Sequence, residues 1–253
     1  MDFTTVKKLL ENVKRDELIK MIAKLTTYDE KSEEWLLEYC KEHCTDSDKN
    51  LVTQKQIQHY WEAAESIISE ANQYGGTYDE DEAYDALFMI ADLAEKTKTE
   101  WGFRRPIVDG MMEQFYLGNS GFEDALADTC MVLCQGKEEK LYLADALGKG
   151  GDYYARVAAS IYLEYGEEDT FVAVKEKNLH WGSDYIELAN YYKKKKQLDK
   201  AIGLVEEALK KADGRMDEVY EWLFKEYVRK KQDHKIIELY QKAVKKKWNI
   251  DTM

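Results

Sequence analysis

One proline in 253 residues is the shortage that says most about this chain. Proline breaks helix interiors because it lacks an N–H and clashes with the carbonyl four residues earlier. Glycine is also sparse, at 14 residues, and it costs about 1 kcal/mol relative to alanine inside a helix. A sequence that avoids both has few forced interruptions and favours helix throughout. There is no apolar run of about 18 residues that could cross a membrane as a helix, and no sustained apolar–polar alternation that would mark half-buried strands. No basic segment followed by an apolar one appears after Met1-Asp2-Phe3-Thr4, so no signal peptide is evident. The four cysteines form two Cys-x3-Cys pairs, Cys40/Cys44 and Cys130/Cys134. Without an export signal they are expected to be reduced thiols in the cytoplasm.

Catalytic signatures are missing too. No His-Glu-x-x-His, Gly-x-Ser-x-Gly or glycine-rich phosphate loop occurs, and His43, His59, His180 and His234 share no motif. The acidic run Asp79–Glu82 lacks the alternating ligands of a calcium loop and reads as the start of a helix, where carboxylates meet the positive end of the dipole. An enzyme reading therefore has no positive support, and no cofactor is expected.

What is present suits a folded helical protein. Hydrophobic residues are 44% of the chain, enough for a core, and charged residues are 34%, enough to solvate many helix faces. The net charge of −13 is uneven. Residues 183–253 hold 17 Lys+Arg and 13 Asp+Glu, net +4, which leaves −17 on residues 1–182. An acidic body repels the phosphates that dominate non-specific nucleic-acid binding, so only the basic last quarter leaves a nucleic-acid-associated adaptor open.

Apolar spacing of three and four residues, with short polar residues placed to cap free N–H groups, predicts about fourteen helices. The first three are Val6–Val13, Glu17–Leu25 and Glu33–Cys44. The polar stretch Thr45–Asn50 reads as a linker. Thr53–Tyr74 follows as a long helix with Ile57, Tyr60, Trp61, Ala64, Ile67, Ile68 and Ala71 on one face, ended by Gly75-Gly76. Ala83–Lys96 carries Ala86, Ile90 and Leu93 inward. Pro106 is expected in the first turn of the next helix. Phe122–Cys134 and Leu141–Leu147 follow. From Asp152 the pattern is regular: Tyr153–Glu164, Asp169–Asn178, Asp184–Lys194, Leu198–Ala212, Met216–Lys230 and Asp233–Lys247. The organisation expected is a helical module at 1–45, irregular helical repeats at 53–151 and regular repeats at 152–253, read as one continuous solenoid.

Two helix pairs near the C-terminus carry the same pattern. Tyr185, Leu188, Ala189, Tyr192, Ala201, Val205 and Ala208 are matched thirty-five residues later by Tyr220, Leu223, Phe224, Tyr227, Ile236, Tyr240 and Ala243. Small residues at Ala189 and Ala201 let paired helices approach, and Ala208 leaves room for the next pair. This pattern resembles the tetratricopeptide repeat. In the second copy Phe224 and Ile236 replace small residues, which predicts a wider or differently angled pair, acting as the end cap of the stack. Tyr153–Asn178 resembles a shortened pair. The fold expected is all-α, a right-handed α-α superhelix of stacked antiparallel helix pairs. A second resemblance lies in Arg15–Leu25, Asp29 and Trp35-Leu-Leu37, which look like the helical region that follows SWIM-type zinc fingers. The Cys-x-Cys and Cys-x-His of the finger are missing here.

Stacked helix pairs make binding surfaces, and the family resemblance implies that the first helix of each pair lines the inner face. That places Ile186, Asn190, Lys193 and Lys194, then Glu221, Lys225 and Arg229, on one face. Some family members clamp a peptide C-terminal carboxylate with Lys and Asn there. Asn190 matches one such position, while Ile186 stands where a clamp lysine would be. The expected function is a protein- or peptide-binding scaffold or adaptor, with Asn190, Lys193, Lys194, Lys225 and Arg229 contacting another protein or an acidic peptide. A bland alternative is that the lysines only solvate helix ends. Self-association through an edge repeat is compatible with this reading. The remaining alternative is a metal or thiol-redox site. Cys40, His43 and Cys44 share one helix region, and Cys130 and Cys134 would complete four thiolates if their helices met. Both pairs also fall on apolar stripes, where a cysteine is an ordinary small core residue.

Overall fold

The computed structural model describes residues 3–11, 13–27, 30–43 and 46–245. Among the described residues there are fourteen α-helices, and the only strand-like pairing is an isolated bridge between Trp181 and Asp213. Consecutive helices pack against each other, so the all-α architecture of helix pairs expected from the sequence is what forms. No helix among the described residues is long and apolar enough to cross a membrane. The chain divides into two compact units at Gln135–Gly136.

The first unit holds α1 (Phe3–Leu10), α2 (Arg15–Thr26), α3 (Glu30–His43), α4 (Asp46–Tyr74), α5 (Glu80–Lys96), α6 (Trp101–Leu117) and α7 (Glu123–Leu133). Its core is built by two helix pairs: α4 packs on α5 and α6 on α7, while α4 also meets α6 and α5 meets α7. Most of the stripe read from the sequence is buried, with Tyr60 and Ile67 half-buried at its edge. Ile57, Trp61, Ala64, Ile68 and Ala71 of α4 face Ala86, Leu87, Ile90 and Leu93 of α5 in the interior. Gly110 of α6 lies where a Cβ would stand 3.1 Å from the Trp61 ring, so the close approach of α6 to α4 depends on a missing side chain.

Two local expectations fail here. The polar stretch from Asp46 to Asn50 is no linker but the first turns of α4. Polarity at a helix start marks solvation and dipole pairing as readily as it marks a loop. Pro106 lies one turn further into its helix than predicted, because α6 begins at Trp101. The carbonyl that proline would obstruct belongs to Gly102, still within the first turn, so the cost is smaller there than in a helix middle.

Side chains close the helix ends of this unit. The buried Arg104 donates from Nε to the Thr99 carbonyl at 3.1 Å and from its guanidinium to the Leu133 carbonyl at the end of α7. Gln135 donates to the Ala94 carbonyl near the end of α5 at 2.7 Å. Asn72 donates to Gln114 and accepts from the Asn119 backbone, fastening α4 to the end of α6. The bonds to the Leu133, Ala94 and Gln114 carbonyls satisfy acceptors that the last turns of α7, α5 and α6 leave open.

The second unit holds α8 (Lys137–Leu147), α9 (Asp152–Glu164), α10 (Glu168–Lys177), α11 (Gly182–Lys194), α12 (Leu198–Lys211), α13 (Asp217–Arg229) and α14 (Asp233–Lys245). After α8, three helix pairs follow, α9–α10, α11–α12 and α13–α14. Their first helices end in the same turn. Gly166, Lys196 and Lys231 take left-handed angles, with φ of 82°, 62° and 54°. The next residue's N–H, from Glu167, Gln197 or Gln232, donates to the carbonyl of Tyr162, Tyr192 or Tyr227 at 2.8, 2.9 and 2.9 Å. These are Schellman closures, which satisfy carbonyls the helix would otherwise leave free. The three tyrosines are buried, and each hydroxyl donates to a carboxylate on an earlier helix, Asp145, Glu176 and Glu206 in turn.

That register aligns Leu188 with Ala158 and Leu223, and Ala189 with Ala159 and Phe224. Ala189 and Ala201 are fully buried, whereas Phe224 and Ile236 of the last pair are half-buried. Tyr240, expected at a helix contact, is exposed and Leu239 is buried instead, while Ala243 is buried as expected. Successive first helices also touch, α11 against α13. At their N-terminal ends a Cβ on Gly182 would meet Val219 at 2.7 Å and the Arg215 carbonyl at 3.2 Å.

Candidate functional site

The contact of α11 with α13 builds the site. Its residues are spaced three and four apart on each helix, so they rise along one side of each. On α11 these are Ile186, half-buried, and the exposed Asn190, Lys193 and Lys194. On α13 they are Glu221, Trp222, Lys225, Glu226 and Arg229.

Glu226 is the centre. It is buried, and Lys193 of α11 donates to its Oε1. Its Oε2 lies 2.8 Å from the Arg229 guanidinium, at ion-pair distance but without the alignment of a hydrogen bond. A buried carboxylate is tolerable only when paired, and two cations on two helices pair this one. Trp222 fills the space beside it. Its indole N–H donates to Asn190 Oδ1 at 2.9 Å, and the Lys193 ammonium sits 5.9 Å from the ring centre, within cation–π range. Three of the five residues singled out from the sequence, Asn190, Lys193 and Arg229, thus meet through Trp222 and Glu226. Lys225 pairs along its own helix with Glu221 at 3.4 Å. Lys194 is exposed and has no ion-pair partner among the described residues. Around Glu226 two cations balance one carboxylate, so a single positive charge is left over.

Trp222 and Glu226 were missed by the sequence reading. The signal was faint: they stand four apart on the helix predicted to carry Lys225 and Arg229. Their partners lie on α11, 32 and 33 residues earlier.

Three other lysines of the basic stretch are also engaged. Lys195 pairs with Glu168, Lys230 with Asp199 and Lys235 with Glu206, each across two helices. Hydrogen bonds from Lys195 and Tyr191 hold the Glu168 carboxyl below its usual range. Lys230 does the same for Asp199. Burial pushes Glu206 up, but Lys235 and Tyr227 together outweigh it and the carboxyl is held low. Burial and the bond to Glu168 push Tyr191 up to about 12. Lys175 of α10 is buried and reaches Glu187 of α11 at 2.6 Å.

The cysteines lie elsewhere. Cys40 is half-buried on α3, which packs on α2 and α4. Cys44 lies outside the described residues. Cys130 and Cys134 are buried at the end of α7, which packs on α5 and α6. Cys130 Sγ is 3.7 Å from the Met111 sulfur. Burial, with Cys134 adding to it, pushes the Cys130 thiol well up, which keeps it protonated and a poor nucleophile or ligand. Among the described residues no group of three or more His, Cys, Asp or Glu is placed to hold a metal ion.

No protein-family model matches this chain, and the comparison with curated proteins gives no match.

Proposed function

We propose that this protein is a peptide-binding scaffold, and that the face of α11 and α13 carrying Asn190, Lys193 and Trp222 receives an acidic segment of a partner protein. The observation that carries this reading is the Asn190–Trp222–Lys193–Glu226–Arg229 cluster, a rigid aromatic and polar surface with a surplus positive charge. Aromatic rings beside arginine are the residues most often found where binding energy concentrates. The side-by-side first helices and repeated turns of the second unit fit a tetratricopeptide-like arrangement, in which such a side is where extended peptides bind. Lys194 and Lys225, at the edge, would steer a carboxylate-rich ligand and add specificity.

The nucleic-acid alternative draws on the basic last quarter, but the cross-helix pairing of Lys193, Lys195, Lys230 and Lys235 lowers the charge available to a phosphate backbone. The test is equilibrium binding of fluorescent Asp/Glu-rich peptides to the wild-type chain and to Lys193→Glu/Lys194→Glu. Binding that weakens at least tenfold on reversal supports the site. Unchanged affinity places the binding surface elsewhere.

A further inference from the structure

The first helices of the two pairs in the first unit, α4 and α6, pack on each other, and a groove of about 390 Å³ opens along their contact. Trp61, Phe103, Pro106 and Ile107 form its apolar wall, and Glu62 and Glu65 line it from α4. Among the described residues no lysine or arginine lines it. Glu62 is exposed and accepts from Gln58 at 2.8 Å, while Glu65 is half-buried; neither has an ion-pair partner among the described residues. Burial, with Glu113 and Glu62 adding to it, pushes the Glu65 carboxyl up. The surroundings are short of cations to relieve this. Residues 46–135 hold 18 Asp+Glu against 6 Lys+Arg. Of those six, Arg104 is buried against carbonyls, and Lys96 and Arg105 pair with Asp92 and Asp109 on their own helices.

The groove also carries an unanswered donor. Trp61 is 6% exposed, and its indole N–H has no hydrogen-bond partner among the described residues. Solvent still reaches that nitrogen, so an incoming acceptor can reach it too. A nearly buried tryptophan N–H ordinarily finds an acceptor. Three features thus specify one kind of ligand. The two carboxylates call for a cation. Phe103 and Pro106 offer an apolar wall to the stem of a lysine or the plane of a guanidinium. The indole N–H calls for a carbonyl, which a peptide backbone supplies. A bare metal ion brings neither stem nor acceptor, and an acidic peptide would meet like charge.

We propose that the α4–α6 groove is a second docking site, which takes a lysine- or arginine-bearing segment of a partner protein. The cation sits at Glu62 and Glu65, its stem lies against Phe103 and Pro106, and a backbone carbonyl accepts from Trp61. The site belongs to the first unit, is independent of the α11–α13 site and selects the opposite charge.

The experiment measures fluorescence anisotropy of labelled Lys/Arg-rich peptides with the full chain. The wild type should bind, and Glu62→Lys/Glu65→Lys should weaken binding at least tenfold. Gly102→Arg should do the same. A Cβ at Gly102 meets nothing within 4 Å, so this variant keeps the fold and offers its own guanidinium to the groove; retained helical circular dichroism is the check. Glu95→Lys/Asp128→Lys makes the same change in net charge at exposed positions of α5 and α7, and should leave the affinity within about twofold. Lys193→Glu/Lys194→Glu should not weaken it. A wild type that binds no basic peptide overturns the proposal. So does an equal loss in the α5/α7 variant, which would reduce the attraction to net charge, or unchanged affinity in Glu62→Lys/Glu65→Lys and Gly102→Arg. Groove variants that abolish self-association, read by light scattering, in place of peptide binding overturn it as well.

Discussion

Glu226 holds a lysine from one helix and an arginine from its own while nearly out of reach of water. Replacing it with glutamine keeps the shape but removes the charge that both cations compensate. Lys193 and Arg229 are 40% and 55% exposed, so water takes up part of the loss. Glu226→Gln is expected to cost about 1–2 kcal/mol, read as a lower urea midpoint with an unchanged slope. At this scale the sequence exposed only half of the arrangement. The repeat resemblance placed Asn190, Lys193, Lys225 and Arg229 on one face. Which of them meet was illegible, because the link runs through Trp222 and Glu226, and that depends on how α13 lies against α11.

At the scale of elements, the three turns that close α9, α11 and α13 share one backbone course, but only the first has glycine at its left-handed residue. Lysine there crowds its Cβ against the carbonyl. Lys196→Gly, copying Gly166, is expected to raise the stability of the second unit by about 0.5–1 kcal/mol, seen as a higher thermal midpoint. The same helices are tied by carboxylates held below their ordinary range, Glu168 to α11, Asp199 to α13 and Glu206 to α13 and α14. A carboxyl with a depressed pKa in the folded state contributes stability above its unfolded value. That contribution fades as pH falls through the lower folded value. Urea midpoints should therefore hold between pH 7 and about 5 and fall steeply below about 4.5. The Glu168→Gln/Asp199→Asn/Glu206→Gln variant should show a smaller drop. Two of the three pairs of this unit were legible as a repeat. The third, α9–α10, was visible only as a shortened pair, because Ala155, Phe171 and Lys175 stand where the clear copy has Tyr185, Ala201 and Val205. Side-chain volumes change there while the turn and its tyrosine persist.

At the scale of the whole molecule, two compact units each bury their own core. A fragment beginning at Gly136 is expected to keep helical circular dichroism and to unfold cooperatively without the first 135 residues. A fragment that shows no unfolding transition would mean that the second core depends on the first. The all-α class and most helix limits follow from the sequence alone, because proline scarcity, capping residues and three-to-four spacing act within a few residues of chain. The tertiary structure decided the rest: that α4–α5 and α6–α7 stack as pairs, that Glu226 rather than solvent holds Lys193, and that Trp61 lines a groove between α4 and α6. Those outcomes depend on contacts between residues far apart in sequence, whose partners are chosen by the fit of whole helix surfaces, and local pattern carries no record of that choice.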